Sequence, residues 1–164
     1  MKRTALALGF LVLTLSGCTG LRPDGAMTVN GDVIAMDVYS AQLAADKGRE
    51  VVAINTLVRR AVIEQMARQS KITVDAAAVD AAWQQLEKAS GGPEALEEHL
   101  GVERLSKGQV RSLLRLRLLE QALLRRDPTH YATALGAALQ QARVQVFVGP
   151  CAKQHEYPRC VLNR

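Results

Sequence analysis

Cys151, His155 and Cys160 are the first residues whose types and spacing invite chemistry. A Cys-x3-His-x4-Cys stretch, with Glu156 beside the histidine, offers thiolate, imidazole and carboxylate donors within ten residues. It supplies three strong ligands and matches no common zinc spacing, so a metal site is the less economical reading. The same two thiols can close a disulfide ring or stay free. A second group is the carboxylate set Glu94, Glu97, Glu98 and Glu103. Paired carboxylates are the usual tools of acid–base catalysis, but the first three fall in the opening turns of a short helix, where the helix dipole favours negative charge anyway. His99, His130 and His155 have no base or nucleophile at a recognisable spacing. No nucleophile motif and no glycine-rich phosphate loop occurs. The expectation is a protein that is not an enzyme and needs no cofactor or metal.

The third cysteine points elsewhere. Lys2 and Arg3 precede an apolar run from Ala5 to Leu15, a charged segment and a hydrophobic segment of signal-peptide length, too short to span a bilayer. Leu15-Ser16-Gly17-Cys18 then resembles the lipobox of bacterial lipoproteins. That resemblance implies diacylation of the Cys18 sulfur, cleavage before Cys18, and a further acyl chain on the new amino terminus. One chain holds a protein to a membrane only marginally; two or three anchor it, at ~0.8 kcal/mol per buried CH₂. A plain signal peptide that happens to contain a cysteine is the alternative. Thr19 stands where an inner-membrane retention signal would place Asp, so the expected address is the periplasmic face of the outer membrane. An oxidising periplasm in turn favours a Cys151–Cys160 disulfide. Such a loop stabilises by ~2–3 kcal/mol in the chain-entropy account.

Removing residues 1–17 takes Lys2 and Arg3 with it, which leaves 147 residues and lowers the formal charge from +5 to +3. That length suffices for one domain with a genuine core. An exported protein rarely meets nucleic acid, so the basic excess reads as surface or partner electrostatics.

The elements that must position these residues follow from local pattern. Residues 18–26 form a short lipidated tether. Asn30-Gly31 between Met27-Thr28-Val29 and Asp32-Val33-Ile34 predicts a hairpin with a type I′ turn. Asp37 is placed to cap a first helix through about Lys47, stopped by Gly48. A second helix is expected over Glu50 to Gln69, with Ile54, Leu57, Val58 and Ala61 as its core stripe. Thr73 or Asp75 opens a third, in which Val79, Ala82, Trp83 and Leu86 repeat that spacing. Ser90-Gly-Gly-Pro93 breaks the chain, Pro93 suits the first turn of a fourth helix, and Gly101 is expected to end it with His99 in its last turn.

Ser106-Lys-Gly-Gln109 has capping-box form and opens a fifth helix to Arg126. Its apolar residues (Val110, Leu113, Leu114, Leu116, Leu119, Leu123, Leu124) span about 220° of the wheel, where a surface helix needs only ~100°. A spine packed on several sides is expected. Lys107, Arg111, Arg115, Arg125 and Arg126 share the remaining arc, either as a docking stripe for acidic partners or anionic lipid, or as a solvated face that keeps the spine soluble. Arg117 and Glu120, inside the apolar arc, are spaced to pair with each other. A sixth helix runs to Ala142, and Val144, Val146 and Val148 alternate as one face of a strand.

The order of these motifs is similar to a known family. Val29-Asn-Gly31, a capped helix, the Arg-x-Ala-Val-Ile-Glu-Gln stretch at residues 59–65, Ile72-Thr-Val-Asp75 before Val79-Asp80-Ala-Ala82, Gly101-Val102, and Val110-Arg-Ser-Leu-Leu-Arg-x-Arg-Leu-Leu119 together resemble the N-terminal chaperone module of the SurA and PrsA exported foldases. That module is a cousin of the trigger-factor substrate-binding domain. The resemblance covers about residues 28–148. It implies a mainly α module, here bounded at residues 27–148, closed by a small sheet that pairs the N-terminal hairpin with the C-terminal strand. The parvulin prolyl-isomerase domain of fuller members has no room between Asp127-Pro128-Thr-His130 and the next helix, so prolyl isomerisation is not implied. Residues 149–164, with Tyr157-Pro158 and the cysteine ring, fall outside the family pattern.

Two roles are then expected. One is a tethered chaperone that binds unfolded exported or outer-membrane polypeptides in a partly apolar cradle, without catalysis. The other is an adaptor that docks one partner of an envelope or secretion machine. Met66, Trp83, Leu113 and Leu116 are the candidate apolar contacts and Arg111 and Arg115 the candidate charged ones; each apolar candidate has ordinary core packing as its alternative.

Overall fold

The computed structural model describes residues 25–149. The expected signal segment, Cys18, and the expected Cys151–Cys160 disulfide with His155 and Glu156 lie outside the described residues.

The chain is mainly helical with one small sheet, in the order β1 (Met27–Val29), β2 (Asp32–Ile34), α1 (Met36–Ala45), α2 (Glu50–Gln69), α3 (Ala76–Ala89), α4 (Pro93–Glu103), α5 (Lys107–Arg126), α6 (Tyr131–Gln141) and β3 (Val144–Val146). The hairpin forms as its turn residues dictate. Asn30 and Gly31 both adopt positive φ, +52° and +90°, as a type I′ turn requires. The strand order is β2-β1-β3 and both pairings are antiparallel, Val29 facing Asp32 on one side and Val144 on the other. The C-terminal strand thus returns to the N-terminal hairpin, and Val144 and Val146 turn inward while Gln145 faces out. Val148 packs on the core but lies beyond the strand, which ends at Val146.

A side-chain clamp fixes the hairpin to α2. The Gln65 amide donates to the Val29 carbonyl (2.8 Å) and to Asp32 Oδ2 (2.9 Å), and accepts from Asn30 Nδ2 (2.7 Å). Asn30 in turn accepts from the Arg143 backbone N–H through its side-chain oxygen, at 2.8 Å. One glutamine therefore ties the turn, and through it the returning strand, to the central helix.

Two apolar clusters organise the rest. The body core joins the sheet to α2, α5 and α6 through Met27, Val29, Ile54, Leu57, Val58, Ile63, Leu119, Leu123 and Val146, among others. The expected α2 stripe is buried in full. A satellite core of Trp83, Leu96 and Val110, with Leu86, Leu100, Leu105 and Leu114 around it, binds α3 and α4 to the first half of α5. The α5 spine runs through both, so the molecule is a body and an arm sharing one helix.

Several local expectations need correction. Ala35, not Asp37, occupies the N-cap of α1; Asp37 sits in the first turn. That helix ends in a Schellman arrangement with Lys47, rather than Gly48, at the first left-handed position: the Lys47 N–H bonds to Ala44 and the Gly48 N–H to Leu43. α4 continues past Gly101 to Glu103, so His99 is not in its last turn. Arg104 turns left-handed there, and the Leu105 N–H returns to the Leu100 carbonyl, which brings Leu105 onto the satellite core. The gain from burying Leu105 decides where the helix stops. α6 ends at Gln141, one residue short of Ala142. Glu120 pairs with Arg59 of α2 and accepts from Tyr131, instead of pairing with Arg117. The wide apolar arc of α5 is only partly covered, with Leu113 46 % and Leu124 45 % exposed. Asp75, Pro93 and the Ser106–Gln109 capping box stand where their residue types place them.

Candidate binding groove

Body and arm approach each other without closing the space between α1, α2 and the start of α5. α1 contributes Val38, Ala41 and Ala45, α2 contributes Arg60, the α4–α5 junction contributes Leu105, and α5 contributes Leu113 to a groove of about 300 Å³. Val38 and Arg60 also line a second recess of about 230 Å³, so the two adjoin. Its floor is Leu57 and Ala61, both buried, and Val33 and Ile34 of β2 form its far wall.

The lining combines aliphatic surface with a self-satisfied charged rim. Val38 is 37 % and Leu113 46 % exposed, two large apolar side chains lining the same concavity. Val33, 52 % exposed, borders the second recess through its strand, while alternation along β2 puts its side chain on the face opposite Asp32 and Ile34. Scattered exposed aliphatics are ordinary, but two that share a concavity carry more weight. On the rim, Arg60 pairs with Glu64 at 3.3 Å and Arg115 reaches the same carboxylate from α5 at 3.7 Å. The Asp37 carboxylate accepts from the Val38 N–H. Glu64 thus pairs with both arginines of the rim, while Asp37 holds only a backbone N–H.

The candidate residues divide. Leu113 lines the groove. Met66 and Leu116 are half-buried against the body core. Trp83 is 6 % exposed in the satellite core, where its indole N–H donates to Glu87 and the Lys107 ammonium lies 4.9 Å from its ring centroid. Arg111 pairs with Asp80 of α3, and Arg126 donates to the Ser70 carbonyl. Much of the basic arc of α5 is thus engaged in joining α5 to α2 and α3.

Val33, Val38 and Arg60 were missed because each sits on a different element. The one available signal was Val33 itself, an aliphatic residue on the hairpin strand opposite a threonine. A further recess between α3 and α5, lined by Leu86, Leu114, Arg117 and Leu118, carries no strongly exposed aliphatic residue among these.

The acid–base candidates stay apart from the groove. Glu94, Glu97, Glu98 and Glu103 lie exposed on α4, and His130 pairs with Asp127 (3.0 Å) on an exposed turn. Among the described residues no three His, Cys, Asp or Glu side chains gather as metal ligands, and no helix is long and apolar enough to cross a membrane. Comparisons with protein-family models, with curated proteins and with solved structures give no match.

Proposed function

We propose that the protein is a non-catalytic, chaperone-like lipoprotein that holds extended segments of unfolded exported polypeptides in the α1–α2–α5 groove. Acylated Cys18 would tether it at the periplasmic face of the outer membrane. The observation that carries the reading is the exposed pair Val38 and Leu113 lining one open concavity. Aliphatic contacts of this kind are weak and tolerant of sequence, as a holding function requires. The motif order that resembles the SurA-type module supports the same reading.

The test is photocrosslinking from native membranes, with the reactive residue at Leu113 and a control at Val102, which is 76 % exposed and outside the groove lining. Many unrelated exported chains captured at Leu113 but not at Val102 is the expected result. A single folded partner would replace the holding role with the adaptor role. Equal capture at both positions would remove the groove from the account. Membrane attachment is tested separately: Cys18→Ala protein is expected in the soluble fraction, and retention with membranes would sink the acylation.

A further inference from the structure

We propose that the hairpin-turn end of the molecule, where the C-termini of α2 and α5 meet, rests on the headgroups of an anionic phospholipid bilayer and turns α4 away from it. This rests on the Cys18 tether proposed above and is independent of the groove.

Contacts between distant residues build the basic end. Arg126, in the last turn of α5, donates to the Ser70 carbonyl at the end of α2. Just before that end, Gln65 holds Asn30 of the hairpin, whose side-chain oxygen accepts from the Arg143 N–H. Arg68, Lys71, Arg125, Arg126 and Arg143 are thereby gathered together, all exposed. The carboxylates on the same segments are Asp32, paired with Arg68, and Asp127. A helix dipole favours a cation in its own last turn. Bringing two such ends together beside Arg143 is a tertiary outcome.

The other end of the spine has the opposite sign. α4 carries Glu94, Glu97, Glu98 and Glu103, all exposed, and no lysine or arginine. Its Leu96 packs with Val110 in the satellite core, ~22 Å along the α5 axis from Arg125. Residues 25–149 hold fifteen Lys and Arg against fourteen Asp and Glu. Five of those cations and two of those carboxylates lie at the basic end, so the remainder of the described molecule is net negative. Residues 18–24 and 150–164 add four Lys or Arg and two Asp or Glu in sequence, and so bring no acidic excess to neutralise it.

An anionic bilayer attracts basic clusters and repels carboxylates within a Debye length, ~8–10 Å at physiological salt, so both ends favour one orientation. The tether supplies the proximity. Gly25 lies seven residues after Cys18, a span of at most ~25 Å. Five residues of extended chain, ~17 Å, then lead to Asn30 beside Arg143. At the effective concentration set by so short a tether, a weak attraction suffices to orient the molecule.

The experiment uses the mature lipidated protein on vesicles of phosphatidylglycerol with phosphatidylethanolamine, or of phosphatidylcholine alone. A photoreactive residue stands at Gln69, exposed in the last turn of α2, or at Val102 of α4. On the anionic vesicles, phospholipid adducts at Gln69 are expected to exceed those at Val102 at least about tenfold, and that excess should vanish on the neutral ones. Lys71→Glu/Arg125→Glu is expected to lose the excess. Lys47→Glu/Lys107→Glu, an equal charge change just before α2 and at the start of α5, should keep it, with circular dichroism confirming that all variants fold. Equal adducts at the two positions, or an excess indifferent to lipid charge, overturn the orientation; flotation with both vesicle types then leaves the tether standing. Flotation with anionic vesicles alone removes the tether and keeps the basic end as the binding surface, and flotation with neither removes both. Salt-sensitive self-association without vesicles, lost in Lys71→Glu/Arg125→Glu, would assign the basic end to α4 of a second copy and overturn the lipid.

Discussion

Tyr39 and Tyr131 show how single groups tie distant parts of this chain together. The Tyr39 hydroxyl donates to Glu50 (3.1 Å) and that of Tyr131 to Glu120 (2.9 Å). Burial first, and then the carboxylate beside each ring, pushes both phenols up to about 12. A phenol whose folded value exceeds its ordinary value near 10 holds its proton more tightly when folded. Its contribution is complete below pH ~10 and is lost as pH climbs toward 12. Melting temperature is therefore expected to fall over that window. The Tyr39→Phe/Tyr131→Phe double variant, less stable at pH 8 by about 1 kcal/mol per lost hydrogen bond, should fall less steeply. Parallel curves would refute the linkage. At Lys71 the backbone is left-handed, with φ +55°, where the Ile72 N–H returns to Ala67 and closes α2. Glycine carries no Cβ penalty there, so Lys71→Gly is expected to stabilise by about 0.5 kcal/mol in urea titration.

α5 is the element on which the architecture depends, because it belongs to both cores. Its turns are unequal: Leu119 is 2 % exposed against α2, while Leu124 is nearly half exposed. Leu119→Ala is expected to cost about 2–5 kcal/mol and Leu124→Ala under about 0.5 kcal/mol, by chemical denaturation. Equal costs would mean that the uncovered side of α5 is covered in solution. Arg111 and Arg115 reach Asp80 and Glu64, so their charge orients α3 and α2 about the spine, although exposed pairs of this type contribute little energy each.

The whole molecule is a body and an arm of unequal strength. Among the described residues the body core buries sixteen and the satellite core three, so the arm should open at lower free energy than the body. Hydrogen exchange is expected to be fastest in α4 and slowest in the Leu57–Ile63 stretch of α2. Trp83→Ala should remove about 3–5 kcal/mol from the arm and leave the α2 amides protected. Uniform loss of protection would show that body and arm unfold as one unit.

What the sequence determined by itself was everything that depends on neighbours within a turn or two. The Asn30-Gly31 turn, the Asp75 cap, Pro93 at a helix start, the Ser106–Gln109 box and the α2 stripe each follow from residues only a few positions apart. Helix ends were less legible where a long-range contact competed with a local stop signal, as Leu105 did with Gly101. The tertiary structure alone decided which charge meets which, since Arg59 and Glu120 stand far apart in the chain until α2 and α5 pack. It also decided which leucines of α5 stay uncovered, and that Val38 and Leu113 share one groove. Local spacing sets a residue's direction from its own backbone, but exposure depends on what another element brings to that face.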